Sequence, residues 1–206
     1  MNAIKTLGIL LFEDFETLDV FGPVEMFGKL TDQIKIAMIS QHRGLVRSVH
    51  GSLVMAEYDW LNAPHLDYLL VPGGMGTRRE VYNQPLLDWI KTRSHSCEIT
   101  LSVCTGAALL AKAGVLDGYQ ATTNKIAFEW VKEQGPKVQW IKQARWVDDG
   151  RVVTSSGVSA GIDMSLYVIS RLFGEPVRDD LVRLTEYNVT TDPANDPFML
   201  LYTPRN

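Results

Sequence analysis

The chain has 206 residues, 46% of them hydrophobic, and its 20 Lys+Arg against 24 Asp+Glu leave a formal net charge of -4. That length and apolar fraction are those of one domain, 1–206, built around a large core. The weak acidity gives no footprint for nucleic acid or anionic lipid, so polyanions are excluded as expected partners.

Lys5 is followed by the apolar run LGILLF (7–12) and then by Glu13, Asp14 and Glu16. This is too short and too soon charged for a signal peptide or a membrane span, which predicts a cytoplasmic protein. The run itself reads as a buried strand. In the acidic stretch after it, Glu13, Asp14, Glu16 and Glu25 read as solvated surface. Asp19 stands apart between Leu18 and Val20, four residues before Pro23. Pro23 suits the first turn of a helix and so puts Asp19 at or just before the helix start. A carboxylate there can face a cleft, where desolvation and a neighbouring thiolate would raise its pKa and let it exchange a proton.

IKIAMIS (34–40) predicts a second strand and DYLLVPGG (67–74) a third. Gly73 and Gly74 let backbone amides approach a ligand closely, and with the Thr105 amide they make a candidate anion-stabilising pocket. A plain tight turn is the other reading. GGMGTR lacks the lysine and spacing of a P-loop, so no nucleotide is expected. The segment Arg79 to Arg93 predicts a helix with Val81, Leu86, Leu87 and Ile90 on one face.

EITLSV (98–103) runs into Cys104 and then into an alanine-rich helix, Thr105 to Ala113, stopped by Gly114 at a C′ position. A side chain at the apex of such a turn needs small neighbours two positions away, and Ser102 and Gly106 supply them. Helix-start amides would favour a thiolate there and make Cys104 a nucleophile. The competing reading is a small buried hydrophobe. Cys97 has no such setting and reads as structural. Placed along one strand, the two cysteines lie about 23 Å apart, too far for a disulfide.

Further on, the pattern predicts a helix near Ile126 to Glu133, a hairpin at 147–153 with Asp149 and Gly150 at its turn, and a helix near Ile162 to Phe173. The polar tail YNVTTDPANDPF (187–198) reads as a surface loop that packs back on the body. Alternating strands and helices predict an α/β three-layer sandwich with a mostly parallel sheet and a nucleophile elbow. Its ligand edge lies beyond the carboxyl ends of the strands, where the acidic loop, the glycines and Cys104 all fall. His42, His50, His65 and His95 have no metal-ligand spacing, so no metal and no cofactor are expected.

DVFGPVEMF (19–27), LLVPGGMG (69–76), SVCTGAALLAKAGVLDG (102–118), ATT (121–123) and TSSGVSAGIDMSL (154–166) together resemble the ThiJ/PfpI superfamily, a class I glutamine amidotransferase-like group, over nearly the whole chain. The pattern is most similar to its isonitrile hydratase-like subgroup and to the sensor domains of certain transcription regulators. The resemblance implies a flavodoxin-like fold and a homodimer. It also implies a catalytic set of Asp19, Cys104 and Thr105, with Gly74 at the anion pocket. Many relatives carry a histidine where this chain has Asn124, which argues against protease or amidase chemistry.

Three functions compete for the pattern. The first is a cysteine-dependent hydratase that converts an isonitrile, a small-molecule substrate, to an N-substituted formamide through a Cys104 thioimidate. The second is a noncatalytic small-molecule or redox sensor, and the third is glyoxalase- or deglycase-like action on 2-oxoaldehydes. Trp60, Met75, Phe128 and Phe198 are candidates for the loops over the cleft, with core or dimer contacts as the equal alternative.

Overall fold

The computed structural model describes residues 3–202. The chain begins with β1 (Lys5–Leu10), α1 (Thr17–Gly28) and β2 (Ile34–Ser40), then the hairpin strands β3 (Gly44–Arg47) and β4 (Leu53–Ala56) and the short β5 (Tyr58–Asp59). The middle holds β6 (Tyr68–Val71), α2 (Thr77–Glu80), α3 (Gln84–Ser96), β7 (Ile99–Ser102), α4 (Gly106–Lys112) and β8 (Gln120–Ala121). It closes with α5 (Phe128–Gln134), β9 (Gln139–Trp140), β10 (Trp146–Asp149), β11 (Val152–Ser155), α6 (Ala160–Phe173) and α7 (Glu175–Thr185), before a 3-10 turn at Met199–Tyr202.

The main sheet has seven strands in the order β10-β11-β7-β6-β1-β2-β5, with only the β10–β11 pair antiparallel. Every residue of β6, β7 and β11 is buried, as a parallel sheet covered on both faces requires. Helices α1, α6 and α7 pack together, as do α3, α4 and α5, which gives the expected three-layer α/β sandwich. The register aligns Val71 of β6 with Ser102 of β7, and Ser102 with Thr154 of β11. The carboxyl ends of these three strands therefore open onto one edge.

Helix α4 ends as its sequence predicts. Gly114 takes φ +76°, its N–H bonds to the Ala111 carbonyl at 3.0 Å, and the Val115 N–H reaches back to Leu110 at 2.9 Å. That is a Schellman termination. The 187–198 tail packs back as expected, with Arg145 N–H donating to the Pro193 carbonyl and Asp196 only 2% exposed.

Three expectations are corrected. Pro23 lies inside α1, which starts at Thr17, so Asp19 occupies the first turn. The predicted helix at 79–93 is two helices, because Asn83 caps α3 and Pro85 sits at its start; Val81, Leu86, Leu87 and Ile90 are nonetheless all buried. At the hairpin, Asp149 pairs with Val152, which leaves Gly150, at φ +73°, and Arg151 as the turn.

Candidate active site

Cys104 stands beyond the end of β7, separated from it by Val103, at φ +55°, in the left-handed region that a non-glycine residue enters only under strain. Several backbone contacts hold it there. Its N–H donates to the Ser156 carbonyl at 3.0 Å, and its own carbonyl accepts from Thr123 Oγ1 at 2.7 Å. Gly106 explains the tightness of the turn, since a Cβ on it would fall 2.1 Å from the Val71 carbonyl oxygen. The predicted elbow is present, and Cys104 is 7% exposed. Cys97 is buried at the end of α3, and both cysteines are free.

The first turn of α1 carries Asp19 into the same edge, where it is completely buried. Its Oδ2 accepts from the Gly73 N–H at 2.8 Å. Its Oδ1 is buried and has no hydrogen-bond partner among the described residues. The next amide, Gly74, donates to Thr105 Oγ1 at 3.1 Å. The Gly73 and Gly74 amides, expected to approach a ligand closely, are engaged here by Asp19 and Thr105. The Thr105 amide is directed at the Cys104 sulfur, and so is that of Val158.

Burial dominates the electrostatics. It holds the Asp19 carboxyl well above the usual carboxylate range; the Gly73 hydrogen bond opposes this and the charge of Glu16 adds to it. The rise is the one expected, with Glu16 as its charged neighbour. Cys104 departs from expectation. Burial pushes its thiol up, the negative charge of Asp19 pushes it further, and the Thr105 and Val158 amides counter only part of this. Helix α4, with seven residues, is a short source of dipole. Both shifts favour the protonated form of each group.

Sequence reasoning missed two residues here. Thr77 is completely buried, and its hydroxyl lies 2.7 Å from the Gly74 carbonyl oxygen and 3.1 Å from Thr105 Oγ1. Its only signal is a hydroxyl residue just past the glycine turn. Val158, at φ +35°, aims its amide at the sulfur from the loop after β11. A β-branched residue in that conformation has no signature in sequence.

Asn124, Val158 and Phe198 border a cavity of about 190 Å³ next to the elbow. Of the four candidate cleft residues, Phe198 borders this cavity, and Met75 is exposed beside the glycine turn. Phe128 is buried edge-on against Trp140. Trp60 stacks on Trp89 and lines a different cavity, at the carboxyl ends of β1 and β2. Among the histidines, His50 is exposed, 2.9 Å from Thr17 Oγ1 and 3.5 Å from Glu16. Among the described residues no group of three or more His, Cys, Asp or Glu is arranged to hold a metal ion, and no helix is long and apolar enough to cross a membrane.

The chain is 30% identical over 188 residues to isonitrile hydratase of Pseudomonas putida, covering 91% of this chain and 79% of that protein. It is 29% identical over 179 residues to the HTH-type transcriptional regulator GbdR of Pseudomonas aeruginosa, spanning about half (47%) of the regulator's length. A crystal structure of a ThiJ/PfpI family protein from Pseudomonas syringae superposes with a TM-score of 0.84 at 26% identity, covering 91% of this chain and 77% of that one. The model of the DJ-1/PfpI family matches residues 5–171, and to that family this chain belongs.

Proposed function

We propose that this chain is a cysteine-dependent hydratase that converts an isonitrile to an N-substituted formamide, with Cys104, Asp19 and Thr105 as its catalytic residues. The observation that carries the reading is Asp19, a fully buried carboxyl raised by burial and near enough to influence the Cys104 thiol, with one oxygen fixed on the Gly73 amide and the other without a hydrogen-bond partner among the described residues. The chemistry needs a soft nucleophile and one acid that also serves as base.

Addition begins at the terminal carbon of R–N≡C. Asp19 gives its proton to that carbon as the Cys104 sulfur bonds to it, and Asp19 takes up the thiol proton, leaving the thioimidate R–N=CH–S–Cys104. No free thiolate has to accumulate, which suits a thiol raised by burial. Water then adds to the C=N carbon, with one of its protons ending on nitrogen. The C–S bond breaks, the sulfur regains a proton, and R–NH–CHO leaves. Thr105 orients the water through its hydroxyl once that group turns from Gly74. The net change is addition of one water.

The P. putida relative's name supports this substrate class. Purified protein with cyclohexyl isocyanide should yield N-cyclohexylformamide, Cys104→Ala should yield none, and Asp19→Asn should lower kcat by about 10²-fold or more. Wild type as inert as Cys104→Ala would end the reading.

The likeness to a transcriptional regulator favours a second reading, a noncatalytic small-molecule or redox sensor of the same fold. Peroxide titration followed by intact mass separates the two. Selective sulfinic acid formation at Cys104 without hydratase turnover supports sensing, and methylglyoxal consumption without added cofactor supports glyoxalase-like action. We further propose a homodimer. Leu18 and Phe21 of α1 and Leu45, Leu53 and Met55 of the β3–β4 hairpin are exposed, and the hairpin is tied to the loop before α1 by the Val49 N–H to Phe15 carbonyl bond. Light scattering would read the mass directly.

A further inference from the structure

We infer that the cavity beside the elbow is the pocket for the substrate's substituent, that it takes one compact uncharged ring, and that the tail residue Phe198 sets this limit. The inference rests on the Cys104 reading above.

Position comes first. The cavity is formed by the same two loops that hold the cysteine: Ser156 accepts the Cys104 N–H, Val158 aims its amide at the sulfur, and Thr123, next to Asn124, bonds the Cys104 carbonyl. Cys104 itself is not part of the wall, so the reading places the reacting carbon at the sulfur and the remaining atoms in this neighbouring space.

Size decides the class. The cavity measures about 190 Å³, and a protein cavity of about 150 Å³ accepts a benzene ring. One six-membered ring therefore fits.

Charge narrows it further. Two ionisable residues, Lys125 and Asp196, belong to the wall, but they face each other at 3.7 Å with side chains only 2% and 1% exposed. Lys125 Nζ also donates to the Ala144 carbonyl at 2.6 Å and to Thr122 Oγ1 at 3.1 Å. Asp196 accepts from the Phe198 N–H at 3.1 Å. Neither offers uncompensated charge to an occupant. Its most exposed side chains are apolar, with Ile126 70% and Phe198 49% accessible. The larger cavity of about 330 Å³ at the ends of β1 and β2 is rimmed instead by Glu13, Arg79 and Glu80.

The tail makes the wall specific. Asp196 N–H bonds the Gln143 carbonyl at 2.8 Å, and the carboxylate caps the Phe198 N–H, so the ring is placed by its own pinned segment.

The test is calorimetric titration of the full chain with N-cyclohexylformamide and with N-methylformamide, in wild type, Phe198→Ala and Ile126→Asp, the last two being exposed positions whose folding is checked by thermal melting. Wild type should bind the ring compound about tenfold more tightly than the methyl compound, and each variant should lose about tenfold for the ring compound. In turnover, the ratio of KM for cyclohexyl to methyl isocyanide should rise about as much in Phe198→Ala. Equal affinity for the two formamides, or a ring affinity unchanged in both variants, overturns the inference. Ring discrimination with no isonitrile turnover supports the pocket while ending the hydratase reading, and turnover without ring discrimination does the reverse.

Discussion

Thr77 Oγ1 lies 3.1 Å from Thr105 Oγ1, and both hydroxyls are within reach of the Gly74 carbonyl, at 2.7 and 3.4 Å. Each hydroxyl has one proton to give. Thr77 Oγ1 is placed to donate to the Gly74 carbonyl or to Thr105 Oγ1, Thr105 accepts from the Gly74 amide, and its own proton is directed at the Gly74 carbonyl. Thr77 thus borders the position of the Thr105 hydroxyl. Thr77→Val, which keeps the shape and removes the hydroxyl, should lower kcat for isonitrile hydration roughly tenfold with KM little changed, and Thr77→Ser should restore most of it. Equal loss in both variants would mark Thr77 as packing alone.

Asp19 couples stability to pH. Its folded pKa lies above its unfolded value of 3.8, so the folded state holds a proton that the unfolded chain has lost once pH passes that value. The stability this proton confers is complete below 3.8 and is lost as pH rises toward the folded pKa. Asp19→Asn, which keeps an acceptor for Gly73, should gain on wild type by about 1.4 kcal/mol per pH unit across that window. Urea denaturation of both proteins at pH 4, 5 and 6 measures the slope.

The elbow tolerates no side chain at Gly106, where a Cβ would sit 2.1 Å from the Val71 carbonyl oxygen. Gly106→Ala should cost about 3 kcal/mol. Thermal unfolding reads the loss, and alanine at Gly114, with no atom closer than 4.0 Å to its Cβ but φ +76°, should cost less, about 1 kcal/mol.

Lys125 behaves in the opposite sense to Asp19. Burial lowers its pKa to about 8 despite Asp196, so between about 8 and its ordinary 10.5 the unfolded chain binds the proton more readily than the folded protein. Stability from this group therefore rises with pH over that range. Wild type should gain on Lys125→Met by about 1.4 kcal/mol per unit from pH 8 to pH 10, read from guanidinium midpoints at each pH.

Because burial raises the Cys104 thiol, iodoacetamide at pH 7 should alkylate it at least tenfold more slowly than a free model thiol. Intact mass against time tests this. Cys97, whose thiol burial pushes up to about 12, should label no faster in the native state.

The strands and the elbow are legible in sequence because each depends on local composition. LGILLF, DYLLVPGG and EITLSV can only be buried, and the small residues around Cys104 admit one kind of turn. Gly114 stops α4 for the same local reason. The state of the glycine amides is not legible, because Gly73 and Gly74 are captured by side chains from α1 and from beyond β7, and only the folded register brings these together. The cysteine's protonation fails similarly. A helix-start argument counts the amides, while the burial that outweighs them comes from the whole assembled edge. The Lys125–Asp196 pair joins segments far apart in the chain, and nothing in either segment announces the other.

Pro23 stands four residues after Asp19 in α1, so the amide that would ordinarily close a bond to the Asp19 carbonyl does not exist. The acid therefore rides on a turn with one fewer tether to the rest of its helix.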